Sequence, residues 1–214
     1  MKVLELFAGT RLMSDTFEKA GHETYTVEWD EQHERIDWYA DIMEVTANDI
    51  LERFGQPDII WASPDCSTYS VAAIYHHRKK EEDGTLSPTT EKARMSDELN
   101  KHVWSLIEEL KPKYYFVENP RGAMRKMDYI QDKPRYTVTY CQYGDERMKP
   151  TDIWTNHPDP KFKPMCRPGA KCHVSAPRGS RTGTQGRKGS VERSRIPKEL
   201  CEYIVKISKE KKSE

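Results

Sequence analysis

The sequence predicts an α/β fold: a doubly wound, mostly parallel sheet with a small basic insertion before a C-terminal helix. Two observations carry this. Apolar runs alternate with helical stretches from residue 2 to residue 62, in the order strand–helix–strand–helix–strand of parallel βαβ units. The last run, Ile59-Ile60-Trp61-Ala62, empties into Ser63-Pro64-Asp65-Cys66. That sets a cysteine at a strand's carboxyl end, the edge of an open α/β sheet where ligands bind. A thiol there can be a nucleophile, a metal ligand or inert packing, and the other strand ends decide among these.

Residues 2–8 (KVLELFA) form the first strand, turned by Gly9-Thr10. A helix over 14–20 follows, with Ser14 as N-cap and Gly21 as its stop. The β-branched and aromatic run 24–29 (TYTVEW) is the second strand. Residues 46–54 read as a helix capped by Thr46 and closed by Gly55, and the strand at 58–62 comes next. Residues 71–96, dense in His76, His77, Arg78, Lys79 and Lys80, read as a long loop, either a solvated flap or a lid over substrate. Residues 97–110 place Leu99, Val103, Leu106, Ile107 and Leu110 on one helical face. A buried strand at 114–118 ends in Glu118-Asn119-Pro120, and 135–143 with 151–155 make a hairpin-like pair. Residues 156–196 are glycine-rich and basic, as a surface contacting phosphates would be. The helix 197–209 begins at Pro197 and buries Leu200, Tyr203, Ile204 and Ile207. The chain thus divides into an α/β domain (1–155), a small basic Gly-rich segment (156–196) and a C-terminal helix with its tail (197–214) that packs back on the first.

At 36% hydrophobic and 33% charged residues, the 214-residue chain supports one modest core under polar loops. Its net charge is zero, so affinity for nucleic acid must come from local asymmetry. The N-terminal residues are too acidic for a signal peptide, and no apolar run approaches the roughly 18 residues of a membrane span. Five irregularly spaced cysteines argue against a secreted disulfide framework. These features predict a reduced, cytoplasmic protein without membrane contact.

The strand ends form an ordered series: Phe7-Ala8-Gly9-Thr10, then Glu28, then Pro64-Asp65-Cys66, then Glu118-Asn119-Pro120, with Gln142-Tyr143-Gly144 and Arg147 behind. This series resembles the DNA cytosine-carbon-5 methyltransferases, most closely the short forms carried by phages and prophages. The resemblance implies a class I S-adenosylmethionine-dependent methyltransferase fold, that cofactor, a DNA substrate, a monomer, and a bacterial or phage-infected cytoplasm, in restriction-modification or a related role. Phe7, Ala8, Gly9 and Thr10 would wrap S-adenosylmethionine, the glycine letting the backbone approach it. Glu28 would take the ribose hydroxyls, Trp29 stack on adenine, Asp41 bond its amino group, and Pro64 lie beside the methionine portion. Cys66 matches the nucleophile, Glu118 the carboxyl at ring nitrogen 3, and Arg147 the arginine gripping the extruded base. Lys149, Arg178, Arg181, Arg187 and Lys188 would contact DNA phosphates.

The chain departs from the family pattern at several points. Arg11-Leu12-Met13 stand where further glycines are usual, Asp65 where a proline precedes the cysteine, and Ser67 where a glutamine follows it. These departures leave two alternatives, an inactive cofactor-binding nucleic-acid module and an RNA methyltransferase. His157, Cys166, Cys172 and His173 are four residues of zinc-binding type. The Cys166–Cys172 spacing is wide for zinc, and Cys172 adjoins His173, so no metal is assigned and zinc is kept as the alternative. Cys141 and Cys201 read as core.

Overall fold

The computed structural model describes residues 1–71, 73–175 and 189–210. The strands are β1 (Lys2–Leu6), β2 (Glu23–Glu28), β3 (Trp38–Tyr39), β4 (Ile59–Ala62), β5 (Arg78–Lys80), β6 (Leu86–Pro88), β7 (Tyr114–Pro120), β8 (Arg135–Thr139) and β9 (Pro150–Thr155). The helices are α1 (Leu12–Lys19), α2 (Ala47–Arg53), α3 (Ile74–His77), α4 (Glu91–Leu110), α5 (Ser190–Ser194) and α6 (Lys198–Ser208).

β1 carries Val3, Leu4 and Leu6 fully buried, so it is apolar on both faces, as a covered parallel strand must be. It pairs in parallel with β2 on one side and β4 on the other. The whole sheet runs β3-β2-β1-β4-β7-β9-β8. β9 is antiparallel to both neighbours and closes the last edge as a hairpin with β8. The strand order reverses between β1 and β4, which makes the carboxyl ends of those strands the switch point where such sheets bind ligands.

Alternate side chains of the strands feed two layers. Leu4, Leu6, Ile60, Ala62 and Val117 pack with Ile50 of α2 and with Val103, Leu106 and Ile107 of α4. On the opposite face Val3, Ile59, Trp61 and Phe116 pack with Met13 and Phe17 of α1 and with Leu200, Ile204 and Ile207 of α6.

Several boundaries differ from the sequence reading. α1 starts at Leu12, with Arg11 as its N-cap residue in a left-handed conformation (φ 58°). Ser14, expected as N-cap, is buried inside that helix. At α2 the Thr46 cap stands as expected, and Asp49 completes a capping box. The segment 71–96 is not a loop. It holds α3, the β5–β6 hairpin and the first turns of α4, whose cap is Thr90.

One charged side chain anchors that hairpin. Arg78 is 4% exposed. It bonds both oxygens of Asp97 at 2.7 and 3.0 Å and donates to the Thr68 carbonyl at 3.0 Å. Its guanidinium lies 4.3 Å from the Tyr69 ring centre, and the Tyr69 hydroxyl donates to Asp97 at 2.6 Å. The hairpin is therefore tied to the chain just beyond Cys66. Arg78→Met should destabilise the protein by about 3–5 kcal/mol, because it strands a buried carboxylate. Denaturant unfolding of the two proteins would show the difference.

Candidate active site

The carboxyl ends of β1, β2 and β4 enclose a cavity of about 300 Å³, lined by Phe7, Ala8, Gly9, Thr10, Glu28 and Trp29, among others. The chain turns sharply here, with positive φ at Phe7 (60°), Gly9 (50°) and Arg11 (58°). Glu28 is 7% exposed. Its Oε2 accepts the Gly9 N–H at 2.9 Å, and its Oε1 accepts those of Trp29 and Asp30 at 3.0 and 3.1 Å. The Trp29 ring is 69% exposed, a face free for stacking. Asp41 stands outside the cavity lining and caps the 3-10 turn Ile42–Glu44 through the Met43 N–H. Pro64 is buried between the lining residues Ser63 and Asp65. A larger cleft of about 800 Å³ lies between the β5–β6 hairpin and α4. It is away from the strand ends and from every thiol, so the smaller cavity is the candidate site.

Glu5, on the α1 side of β1, also lines the cavity and is 3% exposed. Its signal in the sequence is a lone acid inside the apolar run 2–8. Burial pushes its carboxyl from 4.5 up to about 7, against the N–H of Ser14, which donates to it at 2.8 Å. Between those two pH values the folded chain keeps a proton that the unfolded chain has lost. Stability therefore falls as pH rises through this window, by about 3 kcal/mol in all. Glu5→Gln should match the wild type near pH 5 and exceed it near pH 8, as unfolding measured at both pH values would show.

Cys66 follows β4 and Glu118 lies on β7, the adjacent strand. Their loops are stapled together. Asn119 donates to the Pro64 carbonyl at 2.9 Å, Ala123 N–H donates to the Tyr69 carbonyl at 2.7 Å, and Ser70 bridges Gly122. A β-carbon on Gly122 would lie 2.1 Å from the Tyr69 oxygen, so only glycine fits this approach. Asp65, the unusual residue before the cysteine, accepts hydrogen bonds from the backbone and hydroxyl of Ser67.

Three groups act on one another here. Burial raises the Cys66 thiol, the charge of Glu118 raises it further, and Lys149 opposes both. Burial likewise raises Glu118, against Lys149 and against the Tyr140 hydroxyl, which donates to Oε1 at 2.8 Å. Burial lowers Lys149, while Glu118 and Cys66 hold its charge. The site thus holds one negative charge opposite Lys149 more readily than two. Sequence reasoning gave no role here to Asn119, Tyr140 or Glu5, and it placed Lys149 on phosphates.

Arg147 departs from its expected position. It is 2% exposed, bonds Asp145, and donates to the carbonyls of Glu192, Arg193 and Arg195 at 3.3, 3.0 and 3.0 Å. Those bonds commit its guanidinium to holding residues 192–195 against the sheet. Lys149 Nζ also donates to the Arg193 carbonyl, at 3.1 Å, lies 4.7 Å from the Tyr140 ring centre, and is the cation that interacts with Cys66 and Glu118. Arg178, Arg181, Arg187 and Lys188 lie outside the described residues.

Of the four residues grouped as zinc ligands, His157 stands apart. It packs 4.7 Å from the Tyr114 ring, Nε2 meets the Ile207 carbonyl at 3.1 Å, and Nδ1 accepts the Asp159 N–H at 3.2 Å. Both ring nitrogens are engaged, so it is a cap on the end of α6. Cys141, read as core, takes its place beside Cys166, Cys172 and His173.

Among the described residues, no helix is long and apolar enough to cross a membrane. A probable DNA (cytosine-5)-methyltransferase of Frog virus 3 (isolate Goorha) is 29% identical over 216 residues, covering 91% of this chain and 93% of its own. A DNA modification methyltransferase encoded in an E. coli prophage has a similar fold, with a TM-score of 0.50 at 17% identity over 72% of this chain. Dnmt2 of S. pombe superposes with a TM-score of 0.47 at 14% identity over 72% of the chain. The chain spans 46% and 48% of the lengths of these two structures. The family model of C-5 cytosine-specific DNA methylases matches residues 1–133, which include the cavity turn, Cys66 and Glu118. With more than half its length so matched, the chain belongs to the C-5 cytosine-specific DNA methylase family.

Proposed function

We propose that this protein transfers a methyl group from S-adenosylmethionine to carbon 5 of cytosine in DNA, through a covalent bond between Cys66 and carbon 6. The observation that carries it is the grouping of Cys66, Glu118 and Lys149 at the ends of β4 and β7, beside the cavity of β1 and β2. The cavity's donor set fits the cofactor. Oε2 of Glu28 accepts a single backbone N–H and keeps a lone pair for a ribose hydroxyl. The open Trp29 ring suits adenine, and the buried Glu5 carboxyl suits the cationic methionine end. Bound there, the cofactor supplies an electrophilic methyl group.

Cys66 adds as a thiolate to carbon 6 and turns the ring into an enamine whose carbon 5 is nucleophilic. Glu118 in its protonated form gives a hydrogen bond or proton to ring nitrogen 3, offsetting the charge that the thiolate brings. Loss of its proton to the ring would recharge the carboxylate, and Lys149 is the cation that balances it. Once carbon 5 has gained the methyl group, with S-adenosylhomocysteine as the leaving group, and its proton has gone to solvent, the Cys66–carbon 6 bond breaks, the thiolate leaves, and the proton on ring nitrogen 3 returns to Glu118. A base inside a duplex is out of reach of such a site, so the cytosine must be extruded. We assign residues 156–196 the role of target contact, on their basic composition, with Lys149 acting in the pocket in place of Arg147.

The test is a transfer assay with methyl-labelled S-adenosylmethionine and unmethylated DNA, followed by nucleoside analysis. Label in 5-methylcytosine is expected. Label in N4-methylcytosine or N6-methyladenine, or label entering RNA alone, would overturn the proposal.

A further inference from the structure

The segment 157–175 contains no helix or strand, and its cysteines were left unexplained by the methyl-transfer reading. Residues 157–163 are held by His157, by Phe162 between Tyr136 and Tyr203, and by the Tyr203 hydroxyl on the Pro160 and Lys161 carbonyls, whereas 164–175 are largely exposed. The Cys166 N–H donates to Thr139 Oγ1 at 3.0 Å, Lys163 N–H to the Tyr143 hydroxyl at 2.9 Å, and Val174 N–H to the Glu146 carbonyl at 2.9 Å. Residues 164–175 gain little from apolar burial, so a metal clip would stabilise them most.

Four potential ligand atoms converge at this point. The Sγ atoms of Cys141 and Cys166 are 3.1 Å apart, and those of Cys141 and Cys172 are 3.6 Å apart. Nδ1 of His173 lies 3.6 Å from both Cys166 and Cys172 sulfurs. All four atoms fall within 4.8 Å of one another. In a tetrahedral zinc site with ordinary Zn–S and Zn–N bonds, the edges between ligand atoms run roughly 3.5–3.8 Å. The cluster has close to those dimensions.

The chain is shaped to bring the ligands together. Cys141 comes from the 3-10 turn Tyr140–Tyr143 at the end of β8. Between Cys166 and Cys172 the chain reverses at Gly169, which has φ 81°, with the Ala170 N–H donating to the Arg167 carbonyl at 3.1 Å. The turn at 171–173 lets the adjacent Cys172 and His173 face one point despite their adjacency. Gln142 Nε2 approaches the Cys172 sulfur at 3.6 Å, as an outer partner of a thiolate does. Core packing does not explain the arrangement, since Cys172 is exposed and His173 is polar.

We propose that Cys141, Cys166, Cys172 and His173 bind one zinc ion that fastens residues 157–175 to the end of β8. Binding displaces three thiol protons to solvent and leaves a centre of net charge −1, among cations such as Lys163, Arg167 and Lys171. Cys141 adjoins Tyr140, the residue bonded to Glu118, so the clip also steadies the back of the active site. The assignment does not depend on the methyl-transfer proposal.

The test is elemental analysis of the full chain, purified under reducing conditions without chelator and then reconstituted with zinc. One zinc per chain is expected. Cobalt in its place should show the intense visible bands of a tetrahedral thiolate complex. Cys172→Ser and His173→Ala, both outside the core, should each weaken zinc retention against a chromophoric chelator by about a hundredfold or more, since even outer partners are worth 10–100-fold. Cys66→Ser, outside the cluster, should keep the metal. Substoichiometric zinc after reconstitution, retention unchanged in both variants, another metal bound instead, or a Cys141–Cys166 disulfide in the reduced preparation would overturn it.

Discussion

Replacing Cys66 with alanine should abolish methyl transfer, with a loss on the order of 10⁴-fold or more, as follows removal of a nucleophile in covalent enzymes. The cavity that would hold S-adenosylmethionine is lined from the ends of β1 and β2, by Ser63 and Asp65 ahead of Cys66 and by residues of 191–196, not by the thiol itself. Cofactor affinity should therefore stay near that of the wild type, and titration of both proteins with S-adenosylmethionine checks this. The variant should also fail to form a covalent complex with DNA carrying 5-fluorocytosine, from which the enzyme cannot be released. Full activity in Cys66→Ala would end the covalent mechanism, whatever the fold.

Glu118→Gln should lower the single-turnover rate by about 10²–10⁴-fold, the range for loss of a positioned acid. The amide keeps the shape and a hydrogen-bond donor but has no proton to give. Burial raises Glu118 above the ordinary carboxylate range, so its proton persists to higher pH than that of an exposed glutamate. The wild-type rate should fall as pH rises through that raised value, and the glutamine variant should lack that limb. Rates measured across pH for both proteins separate this role from a merely structural one, which would leave the limb in place.

The parallel strands β1, β2, β4 and β7 were legible as short apolar or β-branched runs, while the two-residue β3 was not, and Thr46 was legible because a capping residue acts within its own turn. The β5–β6 hairpin was not, since its residues look solvated. Arg78 is buried only because Asp97 on α4 and Thr68 beyond Cys66 meet it, a pairing that no local pattern contains. α4 was read as starting at residue 97 because its first turns carry few apolar residues, yet they are helical from Glu91. At the site, the strand-end places of Cys66, Glu28 and Glu118 were legible, while the roles proposed for them came from the family resemblance. The engagement of Arg147 by backbone carbonyls was not legible, nor was the placement of Lys149 near Cys66 and Glu118. Arg147 and Lys149 lie two residues apart and both reach the Arg193 carbonyl, but only Arg147 spends its whole guanidinium on Asp145 and the carbonyls of residues 192–195, a packing that no local pattern contains. Cys141 sat in a strand-like run and was assigned to the core, while its partners lie 25 and 31 positions along the chain.

The stapling of the Cys66 loop to the Glu118 loop through Asn119, Ala123 and Gly122 fixes where reorganisation must occur. On the proposed mechanism the thiol and the carboxyl sit on loops bonded to one another, so the entropy of bringing them together is spent when the chain folds and not at each turnover. The mobile partner in the reaction is then the nucleic acid. It must swing a base out of its stack into a slot whose width is already set, and selectivity between bases begins with which of them can enter that slot.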